Sequence, residues 1–326
     1  MTAELPYERL SPDVVLAAIE SLGFACDGRM LALASYENRV YQVGTDRGFL
    51  VAKFYRPGRW SDEAILEEHA FSLELAAADI PVVPPLMLRG GSLHAHAGYR
   101  FAVFERRGGR WPELASADER RWMGRFLGRI HALGAVAPFR ARPTLSVERL
   151  GYASFEQLTE GDWIPAHLQS SYASIAEDVL SAVERNFSAA GTCRNIRIHG
   201  DCHRGNVLWT DAGPHFVDLD DCVNGPAVQD LWLFLAGTRE DMAGQLKDLL
   251  EGYRQFHDFD YAELGLIEAL RALRIIHYTA WIAQRWADPA FPRAFPWFAE
   301  TKYWEEHVLA LKEQRAALDE LPLAVL

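Results

Sequence analysis

The chain predicts an α+β fold of two lobes, a small antiparallel-sheet N-lobe over residues 1–105 and a mainly helical C-lobe over 106–326. Three observations carry this expectation. Strand-length runs of alternating or continuous apolar residues crowd the first third of the chain. A polar, glycine-rich stretch, Glu105-Arg106-Arg107-Gly108-Gly109, follows them as a hinge. Beyond it, apolar residues recur at helical spacing. At 326 residues the chain also exceeds the roughly 100–200 of one ordinary domain.

The elements follow in order. Ser11-Pro12 gives an N-cap and a first-turn proline to a helix carrying Val14, Val15, Ala18, Ile19 and Leu22, and Gly23 stops it. Strands are expected over 31–43 and 49–55, separated by the turn-like Gly44-Thr45-Asp46. Ser61-Asp62-Glu63 opens a second helix with anions where the macrodipole favours them, and Pro81, Pro84 and Pro85 end the pattern. Gly90-Gly91 is expected to join two short runs as a hairpin that ends in Tyr99-Arg100-Phe101-Ala102-Val103-Phe104. After the hinge, Ser116-Ala117-Asp118-Glu119 is a capping box for a helix to about Leu133, with Gly134 as its stop. Further helices are expected over 166–187, 261–286 and 301–318, the last two separated by Asp288-Pro289-Ala290-Phe291-Pro292, which cannot be helical throughout. One short β-rich insert, with strands at 196–198, 207–209 and 215–217, interrupts the helices.

Composition excludes several function classes. Apolar residues make up 49% and charged residues 24%, which rules out disordered and fibrous chains. Lys plus Arg number 33 against 45 Asp plus Glu, a net charge of −12, so neither nucleic acid nor an anionic membrane is expected as a partner. No apolar run nears the ~20 residues of a membrane span. The opening MTAELPYERL lacks the basic head and apolar core of a secretory signal, and Cys26, Cys193, Cys202 and Cys222 form no C-x-x-C pair. A cytoplasmic protein with reduced thiols is the expectation.

The chemistry sits on the β-rich insert, which reads Ile198-His199-Gly200-Asp201-Cys202-His203-Arg204-Gly205-Asn206, then Val207-Leu208-Trp209, a turn, and Phe216-Val217-Asp218-Leu219-Asp220-Asp221. Asp201 and Asn206 stand five apart, the offset of H-R-D-x-x-x-x-N in kinase catalytic loops. A strand–turn–strand would return Asp218 beside Asn206, and together they would offer hard oxygens to Mg²⁺. Asp201, held off the metal, would take a proton from an attacking hydroxyl. The other half of this chemistry is expected in the N-lobe. Leu50-Val51-Ala52-Lys53 ends an apolar strand with a lysine, which is costly there unless it meets anions. ATP phosphates and a helix glutamate are the partners sought, Glu68 first and Glu67 second. Ser35-Tyr36-Glu37-Asn38-Arg39-Val40-Tyr41 would be the strand–turn–strand over the phosphates. It lacks the G-x-G-x-x-G of kinases, so Ser35 and Asn38 would grip by side-chain hydrogen bonds. Residues from Phe104 through Glu105 to Arg107 would line the adenine slot through backbone groups.

The HGDCHRGN and VDLDD motifs resemble those of the aminoglycoside phosphotransferase and choline kinase superfamily, a branch of the protein-kinase-like fold. SYENRVYQ, VAKFYRP, ILEEH, HGDCHRGN, FVDLDDCVNGPAVQDLW and RWADPAFPRAFPW together resemble the stress response kinase A family over nearly the whole chain. That resemblance implies a bilobal, Mg-ATP-dependent serine/threonine protein kinase, cytoplasmic and monomeric, with a part in surviving stress. It makes Asp201 the proton acceptor, Asn206 and Asp218 the magnesium holders, Asp218 thereby catalytic, and Ser35 a nucleotide contact.

Other readings of the residues stand beside this one. The acceptor is a protein hydroxyl or a small alcohol or amino sugar, and a nucleotide-binding regulator without turnover is the third reading. His199 is expected to orient or pack, and Asp230 to pin the catalytic loop. Asp220 and Asp221 are read as structural or surface carboxylates, with a supporting role behind the metal ligands as the alternative for Asp220. The cysteine and histidine spacing fits no zinc site. Trp281, Trp286, Trp297 and Trp304 are core by default. Arg271, Arg274 and His277 share one helix face, either solvated or in contact with an anion.

Overall fold

The computed structural model describes residues 5–325. Contacts divide the chain into two compact units. The first runs to Glu113 and also takes in Phe139–Arg142 and His203–Cys222; the second consists of Leu114–Pro138, Pro143–Cys202 and the chain from Val223 onward.

The chain opens the first unit with α1 (Pro12–Glu20), where the Ser11 hydroxyl accepts from the Val14 N–H and Pro12 sits in the first turn. There follow β1 (Cys26–Ala32), β2 (Arg39–Thr45), β3 (Gly48–Phe54), α2 (Asp62–Ala77), β4 (His94–His96) and β5 (Tyr99–Glu105). The second unit then supplies α3 (Ala117–Gly134), α4 (Ala153–Glu160), α5 (Gln169–Ala190) and β6 (Ile196–Ile198). The chain returns to the first unit for β7 (Val207–Thr210) and β8 (Gly213–Phe216). It ends in the second with β9 (Val223–Gly225), α6 (Gln229–Trp232), α7 (Arg239–Tyr253), α8 (Ile267–Gln284), α9 (Ala290–Ala294) and α10 (Thr301–Ala317).

In the first unit, five antiparallel strands lie in the order β1-β2-β3-β5-β4, so β3 is central and Lys53 stands between Val40 and Ala102. One face of the sheet buries Val43, Ala52, Phe54, Phe101 and Val103 against Val15 and Ile19 of α1. The β4–β5 hairpin turns at Ala97-Gly98, with φ of 49° and 84°, not at the expected Gly90-Gly91. Both central residues of such a turn need positive φ, and Ala97 gives no sequence signal for it. Arg89 and Gly90 close only a small local turn between Leu88 and Gly91.

The division also departs from one at 105/106. Arg110 exchanges backbone bonds with Trp209 (3.0 and 2.7 Å), and Phe216 bonds to Pro81 and Val83 (2.7 and 3.1 Å). These bonds tie the β7–β8 hairpin, with Asn206 and Asp218 at its base, to the sheet unit. The expected three-stranded insert is therefore two separate pairs, since β6 pairs with β9 in the second unit.

The second unit is built on helices. The capping box of α3 forms as its sequence requires, with Ser116 and Glu119 bonding reciprocally. α3 packs on α7 through glycines: a Cβ on Gly124 would lie 2.0 Å from the Leu249 carbonyl oxygen, and one on Gly252 would lie 2.0 Å from that of Arg121. We expect Gly124→Val to cost about 3 kcal/mol by overpacking, read by chemical unfolding. The core between α5, α8 and α10 includes Tyr172, Leu273, Ile276, Phe298 and Trp304, with Trp281, Trp286 and Trp297 packed partly buried against it. The helix expected from 261 begins as a 3₁₀ turn, Tyr261–Leu266, before α8. Among the described residues no helix is long and apolar enough to cross a membrane.

Candidate functional site

Lys53 closes the apolar run of β3 and is only 6% exposed. An ammonium buried alone would be prohibitive, and three carboxylates receive it. Its Nζ lies 2.9 Å from Asp218 Oδ1, 3.0 Å from Asp220 Oδ1 and 3.6 Å from Glu68 Oε1. Burial works to lower the lysine's pKa, but Asp218, Asp220 and Glu68 outweigh it and hold the group well above its usual value. Lys53 is therefore a fixed cation.

Both glutamates of α2 are engaged, each differently. Glu68 faces Lys53 and also accepts from Arg142 Nη2 at 2.9 Å, and its own burial pushes its pKa up. Glu67 accepts from the backbone N–H groups of Arg140, Ala141 and Arg142 (2.7, 2.8 and 2.9 Å). Glu67 thus holds the Phe139–Arg142 segment, and that segment holds Glu68. Arg142 further bonds the Asp220 carbonyl (2.6 Å) and the Ala64 carbonyl (2.8 Å).

Asp220 is the hub of this cluster, 2% exposed. Burial opposes its charge, yet Lys53, Arg59 and Arg142 hold its carboxyl well below the usual range. Arg59, from the turn before α2, reaches both Asp220 and Asp221. The reading of Asp220 as a structural carboxylate fits its position. The Asn38 Nδ2 donates to Asp220 (3.1 Å) and its Oδ1 accepts from the Arg56 N–H (3.1 Å). Asn38 is buried within the cluster. Ser35 lies half-buried in the connection from β1 to β2. Glu105 and Arg107 are exposed and face each other at 3.3 Å.

Asn206 and Asp218 flank the base of the β7–β8 hairpin. Val207 pairs with Phe216, and the Val217 N–H donates to the Asn206 carbonyl at 3.0 Å. Asp218 adopts a left-handed backbone (φ 59°), which aspartate tolerates better than most residues. Its side chain is 50% exposed against 3% for Asp220, so Asp218 is the carboxylate that still meets solvent. An amide oxygen and a carboxylate are ligand types that suit a hard divalent cation that keeps most of its other ligands. Among the described residues no group of three or more His, Cys, Asp or Glu is placed to hold a metal.

In the second unit, β6 ends at Ile198, and after His199 Gly200 takes a positive φ (84°) to turn the chain into Asp201. Asp230, fully buried, fixes this turn. Its carboxylate accepts from the N–H groups of His199 and Gly200 (2.7 and 2.8 Å) and meets His131 Nε2 at 3.0 Å. Gln229 donates to the Gly200 carbonyl at 2.8 Å. Asp201 Oδ1 accepts from Arg274 Nη1 at 2.6 Å. The three basic residues of one α8 face thus separate: Arg274 meets Asp201, Arg271 pairs with Glu268 (3.2 Å), and His277 meets Ser154 (3.0 Å).

Sequence reasoning missed Arg59 and Arg142 and left Arg274 undecided. The one available signal was the need to neutralise the acidic run Asp218-Leu219-Asp220-Asp221, which does not say which arginines do it.

A model of the phosphotransferase enzyme family matches residues 30–267. Stress response kinase A of Escherichia coli is 42% identical over 318 residues, covering 97% of this chain and 96% of that protein. The serine/threonine protein kinase RdoA of Salmonella typhimurium is likewise 42% identical over the same shares. Among solved structures, an amicoumacin kinase in complex with AMP-PNP and Ca²⁺ superposes with a TM-score of 0.73 at 19% identity, covering 96% of this chain and 95% of that one. The fold is of this kinase-like kind, an antiparallel sheet region followed by a helical region.

Proposed function

This chain belongs to the phosphotransferase enzyme family and groups within it with stress response kinase A, and from that premise we propose that it is an ATP-dependent serine/threonine protein kinase serving a stress response. The observation that carries the reading is buried Lys53 with its three carboxylates, a fixed cation suited to the phosphates of ATP. Asp201 receives the proton of the acceptor hydroxyl as the hydroxyl oxygen bonds to the γ-phosphorus. The bond from that phosphorus to the β,γ-bridging oxygen breaks, and ADP leaves. Asn206 and Asp218 would hold magnesium, which when bound neutralises charge on the phosphate oxygens. Asp230 keeps the Asp201 backbone in place, and Glu68 keeps Lys53 in place.

A protein acceptor is supported by the relatives' names at 42% identity. A small-molecule acceptor is the second reading, favoured by the amicoumacin kinase neighbour at 19%. Labelled ATP offered with generic protein substrates, with choline and with an aminoglycoside, each with and without magnesium, decides between them. Magnesium-dependent labelling of protein serine or threonine is expected. ATP binding without transfer to any acceptor, the chain itself included, would instead make it a nucleotide-binding regulator.

The two α2 glutamates give a separable prediction. Glu68→Gln is expected to lower kcat/KM for ATP by about tenfold or more by loosening Lys53. Glu67→Gln is expected to spare that constant more and to cost about 1–3 kcal/mol of stability, because three backbone donors lose a charged acceptor. Steady-state kinetics and thermal unfolding of both variants check it.

A further inference from the structure

We propose that Arg274 is a positioning residue for Asp201 and that its charge discriminates against acceptors bearing an ammonium group. The inference rests on Asp201 receiving the acceptor's proton, as proposed above. Asp201 is held at two points. Its backbone is fixed through the Asp230 bonds to His199 and Gly200, and its side chain through Arg274 at 2.6 Å. Arg274 comes from 73 residues further along, on α8. The opposite face of that helix is buried through Ala272, Leu273 and Ile276, so the guanidinium stands on a rigid support. A short, charge-assisted bond to one carboxylate oxygen sets the orientation of the whole group. The Asp201 side chain keeps 26% of its surface exposed, and that of Arg274 keeps 42%, so an acceptor approaching Asp201 meets both charges.

The charges at that point decide which acceptors are welcome. The guanidinium stays protonated at any working pH. Paired with it, Asp201 presents no net negative charge to attract a cation, and an ammonium group close to the reacting hydroxyl is repelled by Arg274. A serine or threonine hydroxyl carries no such group and suffers no penalty. The same ion pair that orients the proton acceptor therefore sorts neutral hydroxyls from amino alcohols.

The test uses the full chain, labelled ATP, and two acceptors, casein and choline, with wild type, Arg274→Gln and Arg274→Lys. For Arg274→Gln we expect kcat with casein to fall about tenfold while KM for ATP holds. We also expect the ratio of kcat/KM for choline to that for casein to rise about tenfold, because the repelling charge is gone. Arg274→Lys keeps the charge and is expected to restore the wild-type ratio even where kcat stays reduced. Thermal unfolding of each variant reads folding. Equal loss on both acceptors, no choline labelling by Arg274→Gln, or an unchanged kcat overturns the inference. Wild type that labels neither acceptor overturns the proposed function itself, a result visible without any variant.

Discussion

Asp201→Ala is expected to reduce phosphate incorporation from ATP by about 10²–10⁴-fold, the usual contribution of a positioned proton acceptor. The loss should fall on kcat, with ATP affinity nearly unchanged. Lys53, expected to meet the phosphates, and its partners Glu68, Asp218 and Asp220 hold one another within a single unit that does not include Asp201. Single-turnover transfer and equilibrium ATP binding, measured on the same preparation, separate the two quantities. Asp201→Asn keeps the shape and a hydrogen bond to Arg274 but cannot take up the proton, so it should lose rate nearly as fully. Undiminished turnover in either variant would remove Asp201 from the mechanism.

Asp230→Ala is expected to be the most destabilising single change in the second unit. Its carboxylate is fully buried and engaged by the N–H groups of His199 and Gly200 and by His131. Truncation strands all three partners without water to replace the lost acceptor, at a cost of about 3–5 kcal/mol. The midpoint of thermal unfolding should fall by at least about 5 °C. Activity should fall with it, because Gly200 at positive φ directs Asp201 and loses its anchor. Asp230→Asn retains one acceptor oxygen and should lie between wild type and the alanine variant. An unfolding midpoint equal to wild type would contradict the role given to this carboxylate.

Much of the fold was legible because local rules governed it. The Ser11 and Ser61 caps and the capping box at Ser116 specify structure from neighbours in sequence, whereas the strand expected over 31–43 is broken between β1 and β2, and Gly44 and Thr45 lie in β2 instead of the turn. The hairpin bearing Asn206 and Asp218 was legible for the same reason. What stayed hidden depends on partners far along the chain. Glu67 and Glu68 are adjacent, and on a helix adjacent side chains point about 100° apart. Which one faces Lys53 is settled by the rotation of α2 against the sheet and by Arg142, 74 residues away from Glu68. The bond from the Asn38 amide to Asp220, 182 positions on, has no signal in the local sequence. β9 is three residues long, Val-Asn-Gly, too short for any periodicity to announce it.

The cluster around Lys53 carries a further consequence. The cations Lys53, Arg56, Arg59 and Arg142 are met by the anions Glu37, Glu68, Asp218, Asp220 and Asp221, of which Asp218 and Asp221 stay half exposed. An ensemble with no excess of positive charge has little pull on orthophosphate or sulfate, which would have to break existing pairs and return no compensating charge. A highly anionic guest is welcome only if it arrives already partnered by positive charge. Selectivity between a nucleoside triphosphate and the abundant simple anions of a cell would then begin with electroneutrality, ahead of any shape the cluster imposes.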